Sequence, residues 1–323
     1  MSLALSGAPW RTVAAQLLVS VAVIALLVWD AEPARVARVL ADIDARWLGA
    51  ACVVQLLSLA LHEVRVWLAL DRAVPAWAVI RAGLAANLVN LVLPARIADL
   101  AAGAWIAHDT GLPKLKGVGG YGIVTAMEMA AFGLTCIALF LGAAPQLEPI
   151  LTGATRREAT GWATLLTLGS LGMLVVVARF ARRSGGDGAM RQTLRHVADG
   201  LGGRTQLAAH LGLALVQVLS ILVIFRLDLA AVGADIATPW FGMAAVLALG
   251  ALGGMVLPAG MGAGPAAAAA VVVPALGGTA ADAVALGVLA WFTGAVPDVV
   301  LGLPLALARV GRGSPLAGYD RRP

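Results

Sequence analysis

Apolar residues run along this chain in long stretches, rich in Ala, Leu and Val and without the period-two alternation of a barrel strand, so each stretch reads as a helix. Candidate membrane spans fall at 13–29, 47–70, 83–108, 117–142, 160–178, 207–225, 239–276 and 283–308. Segment 239–276 is too long for one crossing: as a single helix it would reach about 57 Å, nearly twice the ~30 Å of bilayer hydrocarbon. It has to turn, and the glycines and prolines at 253–265 are where it can. Segment 83–108 carries a matching break. There Val92-Leu-Pro94-Ala95 reappears later as Val256-Leu-Pro258-Ala259, and the two breaks divide the chain into similar halves at about 47–142 and 207–308.

The Lys and Arg positions decide how the broken segments cross. If both return to the side they entered, the cytoplasmic segments 1–16, 71–82, 109–117, 179–206 and 309–323 hold fifteen Lys and Arg, against six in the outer segments 30–46, 143–160 and 226–238. If both cross once, the counts become ten and eleven and the bias vanishes. The positive-inside rule therefore favours two hairpins, with both termini cytoplasmic. Under that parity the first hairpin dips in from the cytoplasm and the second from outside. The predicted fold is an all-α integral membrane protein, a polytopic helical bundle with two inverted-repeat re-entrant hairpins, forming a single transmembrane domain over 1–323. Broken backbone at membrane depth is tolerated where it is buried in protein or lines a wet cavity. Two proline-kinked ordinary helices are the alternative.

Outside the spans, residues 32–47 place Val36, Val39, Leu40, Ile43 and Trp47 opposite Arg35, Arg38, Asp42 and Arg46, which suits one helix lying on the outer interface. The loop 179–206 combines six arginines with an apolar row of Met190, Leu194, Val197 and Leu201, as a headgroup-bound or a solvated connector would.

Composition agrees with the pattern. The chain is 60% hydrophobic and 13% charged with a mean hydropathy of +0.90, where a soluble domain carries about 25% charged residues. The net charge of +5 resides in short loops, where it reports orientation and attraction to anionic lipid before nucleic acid. The run from Val13 to Trp29 resembles a signal peptide, but Asp30-Ala-Glu32-Pro33 lacks a small-x-small cleavage site, so it reads as the first membrane helix. Cys52 and Cys136 sit in separate apolar runs, as packing residues do.

No cofactor or metal is expected. Gly117-Val-Gly119-Gly120-Tyr121-Gly122 formally matches a dinucleotide fingerprint, yet it follows no strand and opens a membrane helix, so it reads as small-residue helix packing. What remains is a sparse set of ionisable residues at membrane depth: His62, Glu63, Arg65, Arg96, Asp99, Glu128 and Asp298. Each would cost about 2.5–3.5 kcal/mol at a lipid-exposed helix centre, so each should face inward and find a partner. His62, Glu63 and Arg65 are expected to lie nearer the cytoplasmic end and snorkel. Arg96 and Asp99 fit an i,i+3 pair at a half-helix start, or a site where Arg96 and free N–H groups hold an anionic headgroup. Glu128 and Asp298 each follow a hairpin and read as buried hydrogen-bond partners or proton carriers. His210 and Gln217 share a helix face and read as interhelical hydrogen-bond formers. Gly260 and Gly262 ahead of Pro265 leave bare backbone N–H groups at a second half-helix start. The candidate substrate-binding set is therefore Arg65, Asn87, Asn90, Arg96, Asp99, Glu128, Gly260, Gly262 and Asp298, with no catalytic residue.

Four features give the chain a family resemblance: Arg65-Val-Trp67-Leu-Ala-Leu70 at the end of the second span, the Asn-rich approach to Leu93-Pro94-Ala-Arg96-Ile-Ala-Asp99, an acid at Glu128, and the late Leu257-Pro258-Ala-Gly260-Met-Gly262 turn. With these it resembles the flippase-like membrane family typified by the transmembrane domain of lysylphosphatidylglycerol synthase. It departs from the family pattern at Ala102, Met129, Phe132 and Pro265, where the pattern usually carries charges. The resemblance implies a multi-pass protein of the bacterial cytoplasmic membrane that moves a polar or anionic lipid between leaflets, without being an enzyme. A transferase acting on a lipid carrier and a small-solute or ion transporter are the rival functions. Membrane lipids are the expected partners, with a second copy of the chain or a lipid-synthesis enzyme compatible as protein partners, and no nucleic acid.

Overall fold

The apolar stretches fold as helices, several of which run beyond the apolar residues into their polar flanks. The computed structural model describes residues 8–90, 97–142, 153–183, 204–256 and 263–310. Among these residues the elements, all helical, are α1 (Ala8–Asp30), α2 (Pro33–Ala41), α3 (Ala45–Ala69), α4 (Ala76–Asn90), α5 (Ile97–Thr110), α6 (Lys114–Gly142), α7 (Gly153–Arg183), α8 (Arg204–Val232), α9 (Pro239–Val256), α10 (Ala263–Ala275) and α11 (Ala280–Val310). Four of them, α3, α6, α8 and α11, are long and apolar enough to cross a membrane. Many of their large apolar side chains face outward, among them Val53, Leu57, Leu141, Val216, Leu219 and Val300. That is the surface a lipid solvent requires. Trp47, Trp77 and Trp240 stand exposed in the first turns of α3, α4 and α9, where an aromatic ring suits the membrane interface.

Both broken segments double back. Arg81 near the start of α4 donates to Asp109 near the end of α5 at 2.7 Å, so the two helices run antiparallel with their far ends together. In the second half the Ala237 N–H, just before α9, donates to the Leu276 carbonyl just after α10 at 3.0 Å. Close approach along the second pair depends on glycine. A Cβ on Gly242 would lie 2.8 Å from Leu276 Cδ1, and one on Gly250 would lie 3.2 Å from Pro265 Cα.

The helices of the two halves contact one another in corresponding pairs. α3 packs on α4 and α6, α8 packs on α9 and α11, and in both halves the hairpin's second helix packs on the long helix that follows it. Across the halves α4 lies on α11 and α9 on α6, while α3 and α8 form the central pair. That central pair is antiparallel: Asp44 N–H donates to the Ala231 carbonyl at one end, and Ser220 donates to Ser58 farther along. Bare backbone makes the α5–α6 contact, where a Cβ on Gly103 would sit 2.6 Å from the Gly117 carbonyl oxygen. Its counterpart on α10–α11 sets Gly287 against Ala266, again at 2.6 Å for an added Cβ. The glycine run at the start of α6 thus serves helix packing. Two apolar clusters fill the interior, one among α3–α8 and the other among α6–α11.

Two expectations are corrected. Residues 32–47 are not one interfacial helix: α2 ends at Ala41, and Asp44 caps α3 by accepting from the Arg46 N–H at 2.8 Å. Val36, Val39 and Leu40 on α2 pack against Ala281 and Val284 of α11. The sixth span does not end at 225, because α8 continues to Val232 and takes Arg226 and Asp228 with it. Loop 179–206 falls mostly outside the described residues, α7 closing at Arg183.

Candidate functional site

Three helices contribute polar faces that meet in the interior. On α3, Ser58, His62 and Arg65 are spaced i, i+4, i+7 and share one side. On α6, Tyr121, Val124 and Glu128 are spaced i, i+3, i+7, and on α8 Gln217 and Ser220 are one turn apart. Helical periodicity makes each row, and the packing of α3 on both α6 and α8 brings the rows together.

Arg65 is the centre, with no solvent exposure at all. Its Nη1 donates to Glu128 Oε1 at 2.9 Å and to the Gln217 side-chain oxygen, and its Nη2 donates to the Val124 carbonyl at 3.1 Å. A buried guanidinium is tolerable only with this density of acceptors, one of them ionic. His62 Nδ1 lies 2.7 Å from the same Glu128 oxygen, so the ring donates from Nδ1, since a carboxylate can only accept. Gln217 Nε2 is 3.5 Å from that nitrogen. One carboxylate on α6 therefore closes a knot of side chains more than sixty positions away in sequence.

A second layer of carboxyls surrounds the knot on the side of the first hairpin. Glu63, also buried, receives the Tyr121 hydroxyl at 3.4 Å. Its carboxylate occupies the space where Gly83 on α4 would carry a side chain, so only glycine fits there. Asp99 is buried in the first turn of α5, where the helix N-terminus favours an acid, and lies within electrostatic reach of Glu63. Asp298 on α11 accepts from Asn87 Nδ2 at 3.2 Å and lies within electrostatic reach of His62. The described centre thus gathers the carboxyls of Glu63, Asp99, Glu128 and Asp298 with one guanidinium, one imidazole and the amides of Asn87 and Gln217, drawn from α3, α4, α5, α6, α8 and α11.

Of the sequence-derived candidates, Arg65, Asn87, Asp99, Glu128 and Asp298 converge here. Arg96, Gly260 and Gly262 lie outside the described residues, as does the side chain of Asn90 at the end of α4. The expectation that His62, Glu63 and Arg65 snorkel toward the cytoplasm is overturned: at 9%, 3% and 0% exposure they are core. Gln217 forms the interhelical bonds expected of it, and His210 is buried. Tyr121 and Ser58 were not singled out beforehand, although the i, i+3, i+7 row on α6 was a signal for the tyrosine. Asp228 was passed over because it had been assigned to an outer loop. It is fully buried, and Thr293 of α11 donates to its Oδ1 at 2.9 Å. Cys52 and Cys136 are free thiols on different helices, as expected.

Comparison with known proteins places these features in context. The family model described as the lysylphosphatidylglycerol synthase TM region matches residues 13–302, which takes in the polar centre, both hairpins, the long apolar helices α3, α6 and α8, and most of α11. No curated protein matches the chain.

Proposed function

Because the chain belongs to the family defined by the transmembrane region of lysylphosphatidylglycerol synthase, we propose that it moves a polar or anionic lipid between the leaflets of the bacterial cytoplasmic membrane. The observation that carries this reading is a many-membered polar centre, buried against the first helical hairpin, in a bundle whose outer surface is apolar. Helices α4, α5, α9 and α10 have 15, 14, 18 and 13 residues, or about 20–27 Å each, which is short of a ~30 Å crossing. Each hairpin in this proposal is re-entrant. The antiparallel central pair and the matching contacts of the halves support an inverted repeat, in which the hairpins open the polar centre to opposite sides in turn.

The residues divide the work. Arg65, His62, Glu128 and Gln217 form a fixed post against which the first hairpin rests. Asn87, Asp99 and Asp298, on the hairpin and on the α11 face it touches, are the groups that exchange partners when a headgroup enters. Arg96 would hold a phosphate, while the acyl chains remain in the bilayer. In this reading the chain transports and catalyses no bond change, and its termini are cytoplasmic.

The test is leaflet exchange of fluorescent anionic and zwitterionic lipids in liposomes containing the purified chain, comparing wild type with Arg96→Ala and Glu128→Gln. Exchange that rises with protein and falls in either variant supports the reading. A folded wild-type protein that exchanges none of the lipids sinks it.

A further inference from the structure

The second half of the molecule contains a polar site unlike the first. Arg65 stands four residues before the end of α3, and Asp228 stands four residues before the end of α8, its partner in the central antiparallel pair. Each reaches across to the long helix that follows its own hairpin: Arg65 to Glu128 on α6, Asp228 to Thr293 on α11. In the first half an acid and a guanidinium neutralise one another. In the second an acid meets a hydroxyl.

Asp228 and Thr293 both have no exposed surface, and Phe225 and Leu229 beside them belong to an apolar cluster. Thr293 satisfies Oδ1, while Oδ2 is buried with no hydrogen-bond partner among the described residues. Of the helices packed on α8, α9 carries no ionisable side chain. α3 presents Cys52 within electrostatic reach and Arg46, exposed, in its first turn, while its Arg65 and His62 meet α8 at Gln217, eleven residues or about 16 Å along the axis; Arg226 on α8 itself is half-buried. α6 presents Glu128 at that same level, and the Asp298 carboxylate of α11 is turned to Asn87. An isolated carboxylate in such surroundings is very costly to keep ionised. The three side-chain oxygens of Asp228 and Thr293 are also too few for a hard metal cation, which seeks six or more oxygen ligands.

We propose that Asp228 is a proton-exchange site: Oδ2 takes up a proton from water when α8 and α11 part at this end, and returns it to water when they part again, the Thr293 hydroxyl releasing Oδ1 while the helices are apart and donating to it again when they close. The site stands apart from the Arg65 centre and does not depend on what the protein moves. Its use in driving lipid movement rests on the transport reading above.

Infrared spectroscopy of the full chain in lipid nanodiscs tests it without any transport assay. Wild type is expected to show a deuterium-sensitive band of a protonated carboxyl at neutral pH that disappears in Asp228→Asn and survives in Glu128→Gln. Thr293→Val, which keeps the carboxyl and removes its donor, is expected to shift that band, and it serves where Asp228→Asn fails to fold. A spectrum that neither substitution alters overturns the proposal. In liposomes that exchange lipid, an imposed pH gradient should change the wild-type rate and leave that of Asp228→Asn unmoved. Loss of exchange with the infrared band intact would count against the transport reading alone.

Discussion

A single buried cation organises the first half of this molecule. Arg65 has three acceptors from two other helices, so its removal would leave the Glu128 carboxylate in the interior without its ionic partner. Breaking a buried pair from one side costs about 3–5 kcal/mol, while replacing both members with apolar groups is often close to neutral. Arg65→Met is therefore expected to lose several kcal/mol in a reversible unfolding titration, and Arg65→Met with Glu128→Leu to recover much of it. Were the double variant as unstable as the sum of the singles, the two residues would not act as a pair. Five of the nine candidate residues meet at the described centre, and four of the five are ionisable side chains in apolar runs, which have few places to go. Which residue pairs with which was not legible, since Arg65 and Glu128 are 63 positions apart and their meeting depends on how α3 packs against α6.

At the scale of elements, small residues set the spacing. The α5–α6 contact brings Gly103 and Gly117 backbone to backbone, and its counterpart brings Ala266 to Gly287. Any side chain at Gly117 meets the Gly103 carbonyl, which is fixed main chain and cannot yield as a flexible side chain could. Gly117→Leu is expected to push α5 off α6 and destabilise the protein by about 1–3 kcal/mol or more, as overpacking does. Gly122 has nothing within reach of an added Cβ, and Gly122→Ala should leave the unfolding midpoint unchanged or slightly raised. Equal effects at the two positions would refute the packing role. The glycine pattern was visible in the sequence, but nothing local distinguishes Gly117 from Gly122. Helix α2 teaches the same lesson. Its apolar face was read as membrane-facing, yet it covers α11, because an apolar stripe does not specify whether lipid or protein will cover it.

At the scale of the whole molecule, the hairpins and the antiparallel central pair make a claim about sidedness. Ala73 precedes α4 and Lys114 opens α6, while Ala237 precedes α9 and Ala280 opens α11. In a variant lacking Cys52 and Cys136, single cysteines at 73 and 114 should react with an impermeant thiol reagent from one side of the membrane. Cysteines at 237 and 280 should react from the other. Labelling of 73 and 114 from opposite sides would mean that the first hairpin crosses, and the re-entrant arrangement would fall with it.

What the sequence determined by itself was whatever depends on local composition and period. The helical membrane class follows from long apolar runs, and the positions of the two breaks from glycine and proline. Only the tertiary structure decided which polar residues are core. His62 and Arg65 could have reached water along their own helix, and Asp228 sits two residues from an arginine in what reads as a loop. Burial is a property of the neighbouring helix, and that neighbour is supplied by chain 60 to 160 residues away.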